Sequence, residues 1–593
     1  MKIALKEKKT RNPKRKWVVF LAVLMAVAAL AVAGYFIARA VAQSLIQSEI
    51  QTRSDWNIDT GDVADREAAQ QVTVYTAPVE ASIDVIQIVP DEYEEEGFTY
   101  YDEDVQDRLA YTLLDLTRKE SYTLESPLAV LNPFGTGSNG LYMYFRTDAP
   151  TRVTYTVHVE DESIPDYTAT VNNQGADADG YSRLQEFLLI GLVPGMENTV
   201  TLSAETRQQG TAYTFTIDMP ESASGYASQL EVEDGGADVG QLSDGLFYAM
   251  GFGDYYGYTF FFDNEGVLRY EMVLEGYHSD RFLWDDDGSL ITCVGSRKVA
   301  RINRFGQVAQ VYGLGQYELH HDINWGPEGT ILALATDTEG ETVEDQVLKI
   351  DLTTGEVSHV VDFTQVLQSY FEETRPVQAT DPFGLWSEGE WDWLHLNSLQ
   401  YVEEDNAIIV SSRETSTIIK ATLEEEPQIQ WMAGNPDFWE GTDFASYSLE
   451  AEGDFLFQYG QHDVEQMDAD QVEKLGFAPA EEGKIYLRLY NNNYYAMSSR
   501  DDFQVEVPDE VSTSSTVDGE ANSHVYFYLP YSSLVSNAQD TGDTFVVNNG
   551  VSQCFEEYDQ QGQLIRQYQY SCTANGYRVM KDDFAGYWFL PED

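Results

Sequence analysis

The chain has 593 residues, with 100 Asp and Glu against 35 Lys and Arg, a formal net charge of −65. That balance excludes a nucleic-acid binder, because neutralising phosphates requires a basic surface. Hydrophobic residues at 43% and aromatics at 13% exclude a disordered acidic polymer, and at about 150 residues per domain the length suggests three or four domains.

Basic charge collects at the N-terminus, where Lys2, Lys6, Lys8, Lys9, Arg11, Lys14, Arg15 and Lys16 stand against Glu7 alone. The apolar run from Trp17 to Ile37 follows, and at about 1.5 Å per residue it is long enough to span a bilayer. The expectation is a basic cytoplasmic arm (1–16), a transmembrane anchor (17–38) and a stalk (39–74), with the rest of the chain extracytoplasmic at the cell membrane. Cleavage at a small-residue site such as Ala31-Val32-Ala33 would release a secreted protein instead.

Residues 75–222 read as a small N-terminal β-sandwich domain. A helical stretch over 106–121 places Leu109, Leu113, Leu114 and Leu116 on one broad face, and residues 91–104 read as a solvated acidic loop. Alternating runs at 141–145, 152–159, 199–202 and 213–217 read as strands between Gly, Pro and Asn turns. Residues 223–240, rich in Ser, Gly and Asp, read as a linker.

From 241 to 593 two strand-turn-strand patterns interleave. One is FDNEGVLRY (262–270), INRFGQVAQVY (302–312), IDLTTGEVSHVV (350–361) and EYDQQGQLIRQY (557–568). The other is FLWDDDGSLIT (282–292), INWGPEGTILALA (323–335) and LQYVEEDNAIIVSS (399–412). Two hairpins per repeat of about 40–50 residues is the pattern of propeller blades, so the expected fold is all-β, with a six-bladed β-propeller over 241–593. Cys293, Cys554 and Cys572 have no metal-type spacing, and a bridge between Cys554 and Cys572 is left open.

The chain has eight histidines. His158 and His359 read as surface or packing residues, whereas His321 and His395 each precede an inner-strand pattern, where successive blades converge on the channel. The segments LHHDINWGPEG (319–329), WLHLNSLQY (393–401), IIVSSRETSTIIK (408–420), YGQHD (459–463) and LRLYNNN (487–493) run in this order. Together they resemble the bacterial arylsulfotransferases, which take the sulfuryl group from an aryl sulfate rather than from a nucleotide. The resemblance covers about 75–593. It implies His462 as the nucleophile, His395, His321 and Arg413 as further catalytic residues, and Asn397, Gln461 and His320 at the substrate. It implies phenolic sulfate donors and phenolic acceptors, and a homodimer is left open.

Elementary chemistry agrees with those roles. An imidazole with an ordinary pKa of about 6.5 is largely neutral, hence nucleophilic, near pH 7. Arg413 offers a permanent planar cation for sulfonate oxygens. A phenolate leaving group, with a pKa of about 10, profits from a proton donated by His395 or His321. The Asn491-Asn492-Asn493 run reads as a turn at least as readily as a substrate contact. No GxxxxGK[ST] loop occurs, and neither a cofactor nor a metal is expected. The alternatives are a non-catalytic propeller for binding or adhesion, and a hydrolase that passes the sulfuryl group to water.

Overall fold

A computed structural model describes residues 71–173, 175–277, 281–376, 389–451, 457–474, 484–493, 512–518 and 523–591. The expected arm, the anchor at 17–38 and nearly all of the stalk lie outside the described residues. Among the described residues no helix is long and apolar enough to cross a membrane. The expected single-pass topology, the membrane as a partner and the extracytoplasmic placement drawn from the anchor are corrected on this point, since no described element supports them.

The N-terminal domain begins with strands Val72–Thr76 and Val85–Pro90. Helix Glu103–Lys119 follows, starting where Asp102 accepts from the Val105 amide at 3.2 Å. It carries Glu103 and Asp104 in its first turn and Arg118 and Lys119 in its last, the order that complements a helix dipole. The helix is the crossover that lets Val85–Pro90 pair in parallel with Leu128–Leu131. The two strands expected at 141–145 and 152–159 are one strand of 18 residues, Leu141–His158. Its first half pairs with Leu128–Leu131 and Ser182–Leu189, and its second with Tyr167–Thr170 and Glu197–Glu205. The domain is therefore one eight-stranded sheet, folded across this shared strand, rather than two separate sheets. Met143, Phe145, Val153, Tyr155 and Val157 line the core between its halves.

The remainder is a ring of sheets. Among the described residues five are four-stranded, with Gly576–Asp582, Leu283–Trp284, Tyr317–Trp325, Leu396–Val402 and His462–Gln466 as their inner strands. The inner strands Tyr317–Trp325, Leu396–Val402, His462–Gln466, Asn537–Asp540 and Gly576–Asp582 touch one another in that order. The C-terminal strand Gly576–Asp582 pairs with Leu246–Phe252, so the chain's end completes the sheet with which the ring begins. The expected six-bladed propeller is corrected: among the described residues the four-stranded blade pattern occurs five times, and the sheet led by Asn537–Asp540 has five strands. Its outermost strand, Glu231–Asp234, comes from the expected linker and pairs with Leu564–Gln569. An acidic run with one apolar residue carries no strand periodicity, and only the open sheet edge makes it a strand.

The interleaved hairpins have distinct places. Turns 263–266, 303–306, 351–355 and 559–562 close outer hairpins, whereas those following Trp284, Trp325 and Val402 close inner ones. In the outer turns an Asp or Asn accepts two backbone amides, as Asp263 does from Glu265 and Val267 at 2.9 Å each. Gly266 then takes φ 71°, a conformation that costs glycine little. All three cysteines are free thiols.

Candidate active site

Three inner strands lose register with their neighbours beside a histidine: between Leu319 and Ile323, between Leu396 and Ser398, and between His462 and Glu465. A bulge of this kind re-aims the side chain at the break. The backbone is left-handed at His321 (φ 57°), His395 (51°) and Asp463 (53°), and also at Glu344 (57°), Ser416 (49°) and Asn493 (49°). Such conformations cost non-glycine residues about 1–3 kcal/mol each, and they collect at functional sites. His321 and His395 have ring centroids 4.7 Å apart, and His321 and His462 are 6.5 Å apart. One nitrogen from each of the three rings lies within 4.8 Å of the others.

His462 is buried, and its tautomer is fixed by its neighbours. Nδ1 lies 3.0 Å from the Gly460 carbonyl and 2.8 Å from Asn492 Oδ1. Asn492 Nδ2 donates to the Ser532 and Val535 carbonyls at 2.8 and 3.0 Å, so its oxygen must face the imidazole. Two acceptors on Nδ1 place the proton there and leave the lone pair on Nε2. Burial pushes the His462 pKa down to about 3, with the His395 and Arg413 charges adding to the effect and Asn492 opposing it. The ring is neutral at pH 7. Asn492→Ala frees the tautomer and is expected to lower kcat by at least about tenfold, to be checked by steady-state kinetics on a variant of unchanged melting temperature.

His395 is driven the other way. Its Nδ1 faces Glu344 Oε2 at 2.5 Å and Asp392 Oδ2 at 2.7 Å. Burial and the Arg413 charge disfavour the imidazolium, but the two carboxylates outweigh them and raise the pKa to about 9. Burial likewise opposes the Glu344 charge, yet His395 and His321 hold that carboxyl well below its ordinary range. Arg413 Nη1 stands 3.2 Å from His395 Nε2, a contact that is a hydrogen bond only when Nε2 is unprotonated. With His395 protonated, two cations meet there, and an anion between them relieves the repulsion. Glu414 accepts from Arg413 Nη2 at 2.6 Å, and burial pushes its own carboxyl up to about 7.

The other expected residues divide. His321 and His320 face each other through Nδ1 at 2.9 Å, and burial lowers both pKa values, which makes one neutral ring the donor and the other the acceptor. Asn397 donates from Nδ2 to the Gln461 carbonyl at 2.7 Å, while its buried Oδ1 has no partner among the described residues. Gln461 spends its amide on Ser411 Oγ at 2.9 Å and the Ser412 carbonyl at 3.1 Å, and so ties adjacent sheets together. His158 pairs with Asp166 on the surface at 2.7 Å, and His359 faces the Val361 carbonyl at 3.1 Å, both outside the cluster.

Sequence reasoning missed Glu344, Asp392, Tyr577 and the orienting role of Asn492. The Tyr577 ring lies 5.2 Å from that of His321 and 6.3 Å from that of His462. A three-imidazole set could ligate a transition metal. The Arg413 cation in the same cluster makes the site equally fit for an oxyanion.

A family model described as arylsulfotransferase (ASST) matches residues 231–580, and one described as arylsulfotransferase Ig-like domain matches residues 128–220. Arylsulfate sulfotransferase AssT of Escherichia coli O6:H1 (strain CFT073) is 22% identical over 326 residues, covering 48% of this chain and 51% of that protein. The chain thus spans about half the length of that curated relative. Among solved structures, a putative 6-phosphogluconolactonase from Bacteroides fragilis has 11% identity and a TM-score of 0.30, covering 74% of this chain and 99% of its own. A periplasmic gluconolactonase from Pseudomonas aeruginosa has 12% identity and a TM-score of 0.29, covering 72% and 98%.

Proposed function

The chain belongs to the arylsulfotransferase family, and we propose that it moves a sulfuryl group from a phenolic sulfate ester to a phenolic acceptor through a sulfated His462, without a nucleotide sulfate. The observation that carries this reading is one buried cluster in which His462 Nδ1 faces two acceptors, the Gly460 carbonyl and Asn492 Oδ1, while His395 Nδ1 faces two carboxylates, Glu344 and Asp392. Environments that push two like groups apart in pKa assign the nucleophile and the acid.

In the first half-reaction Nε2 of His462 attacks sulfur, the N–S bond forms and the S–O(aryl) bond breaks. The leaving oxygen takes a proton from His395, and a neutral phenol departs. Arg413 holds the sulfonate oxygens as charge shifts toward the leaving group. In the second half-reaction the acceptor phenol returns a proton to His395 as its oxygen attacks sulfur, and the N–S bond breaks. Both histidines end as they began. His321, kept neutral by burial well below its ordinary pKa, packs against both rings without adding a charge.

The direct test is the chain with p-nitrophenyl sulfate, with and without phenol. Sustained nitrophenol release that requires phenol supports the reading, acceptor-independent release points to hydrolysis, and absence of turnover with any aryl sulfate points to a binding module. The pH profile is a second test. His462 must be neutral, so its limb falls only as pH drops through about 3, and His395 must be protonated, so rate is lost as pH rises through about 9. Phenol release from an unactivated phenyl sulfate in the first turnover is expected to be level over about pH 5–8 and to fall tenfold per unit above about 9. A profile that halves near 6.5, the ordinary histidine value, contradicts the assignment.

A further inference from the structure

Two residues of the cluster are followed directly by aspartates, and these aspartates are bound to each other through two arginines. Asp322 receives a two-pronged contact from Arg281, Nε to Oδ1 at 2.9 Å and Nη2 to Oδ2 at 3.0 Å. It also accepts from Arg578 Nη1 at 3.0 Å and from the Leu399 amide at 3.0 Å. Asp463 Oδ1 lies 3.7 Å from Arg281 Nη2 and 3.5 Å from Arg578 Nη2, and its Oδ2 accepts from the Ala538 amide at 3.0 Å. All four side chains are buried, with Asp322 and Arg578 each 1% exposed. Burial alone would push the Asp322 carboxyl up, and Arg281 with Arg578 holds it below its ordinary range.

The partners come from all around the ring. Arg281 precedes strand Leu283–Trp284, Asp322 lies in Tyr317–Trp325 and Leu399 in Leu396–Val402. Asp463 lies in His462–Gln466, Ala538 in Asn537–Asp540 and Arg578 in Gly576–Asp582. Every sheet around the axis thus contributes one member, two positive and two negative side chains plus two amides. A buried ion network adds little to stability over an apolar filling, but it defines geometry. Here it holds the backbone at His321 (φ 57°) and Asp463 (φ 53°), where a relaxed chain would turn the imidazoles elsewhere.

We propose that Asp322, Asp463, Arg281 and Arg578 are positioning residues that clamp the His321 and His462 backbones, and thereby align His462 Nε2 with the sulfur. The inference rests on the sulfuryl-transfer reading. In that reading Arg413 and His395, which take no part in the clamp's ion pairs, hold the anion, so misalignment slows the chemistry more than it weakens binding.

The test uses the whole chain with p-nitrophenyl sulfate and phenol, on wild type, Asp322→Asn, Asp463→Asn and the milder Arg578→Lys, each checked by circular dichroism and melting temperature. Expected are falls in kcat of at least about thirtyfold for Asp322→Asn, tenfold for Asp463→Asn and fivefold for Arg578→Lys, with KM within about threefold. The fraction of released sulfuryl groups that goes to water rather than phenol should rise, a change that a purely structural role would not produce. Folded variants with kcat within twofold of wild type and an unchanged water fraction overturn the clamp, and Arg578→Lys alone decides if the aspartate variants do not fold. Failure of the underlying reading is distinguishable, because wild type itself would then not transfer.

Discussion

Replacing His462 by alanine is expected to lower kcat for aryl sulfate turnover by about 10⁴–10⁶-fold, the scale of a lost nucleophile. No neighbour can substitute. His321 lies on the other side of a 6.5 Å ring separation and shares its Nδ1 with His320, and His395 is protonated between two carboxylates. The structural cost falls on Asn492 Oδ1 and the Gly460 carbonyl, which lose the imidazole donor, while Asn492 Nδ2 keeps two carbonyls. An unpaired buried acceptor costs about 1–3 kcal/mol, within what a chain of this size tolerates. A folded variant of near-normal melting temperature and no turnover is the expected result, measured by calorimetry together with nitrophenol release. Activity within about tenfold of wild type would mean that the sulfuryl group goes directly to the acceptor.

The second large effect is His395→Gln, for which a fall of about 10²–10⁴-fold is expected with an unactivated phenyl sulfate donor. Glutamine is the informative choice because its amide still donates to Glu344 and Asp392. Alanine would leave two buried carboxylates without a cation, at a cost of about 3–5 kcal/mol. The loss should shrink with a nitrophenyl donor, whose leaving oxygen carries charge more readily and needs less help from an acid. Comparing kcat/KM across donors of graded leaving-group basicity measures this directly. A loss that is equal for every donor would place His395 in binding alone.

The distribution of signals along the chain explains what could be read from sequence. His321, His395, Arg413 and His462 sit in short ordered motifs, and the structure brings all four into one buried cluster. The outer-hairpin turns were legible because an Asp or Asn followed by glycine imposes its geometry locally. The strand Glu231–Asp234 was not, since only a distant sheet edge recruits it. Glu344 and Asp392 are two of 100 acids, and nothing local separates them from the solvated majority. What distinguishes them is burial beside His395, which only tertiary contacts create. Asn492 looked like a turn residue because its role depends on the carbonyls of Ser532 and Val535, some forty positions later. The same holds for Arg281 and Arg578, which meet Asp322 from 41 and 256 positions away in the chain.

The central claim is a covalent intermediate on one imidazole. The chain mixed with an aryl sulfate in the absence of phenol, quenched at neutral pH and digested, should yield a His462-containing peptide heavier by one sulfuryl group. The adduct should form in amounts matching the first-turnover burst of phenol and disappear when an acceptor is added. A burst without any adduct on His462, or an adduct on another residue that His462→Ala leaves intact, would contradict the account.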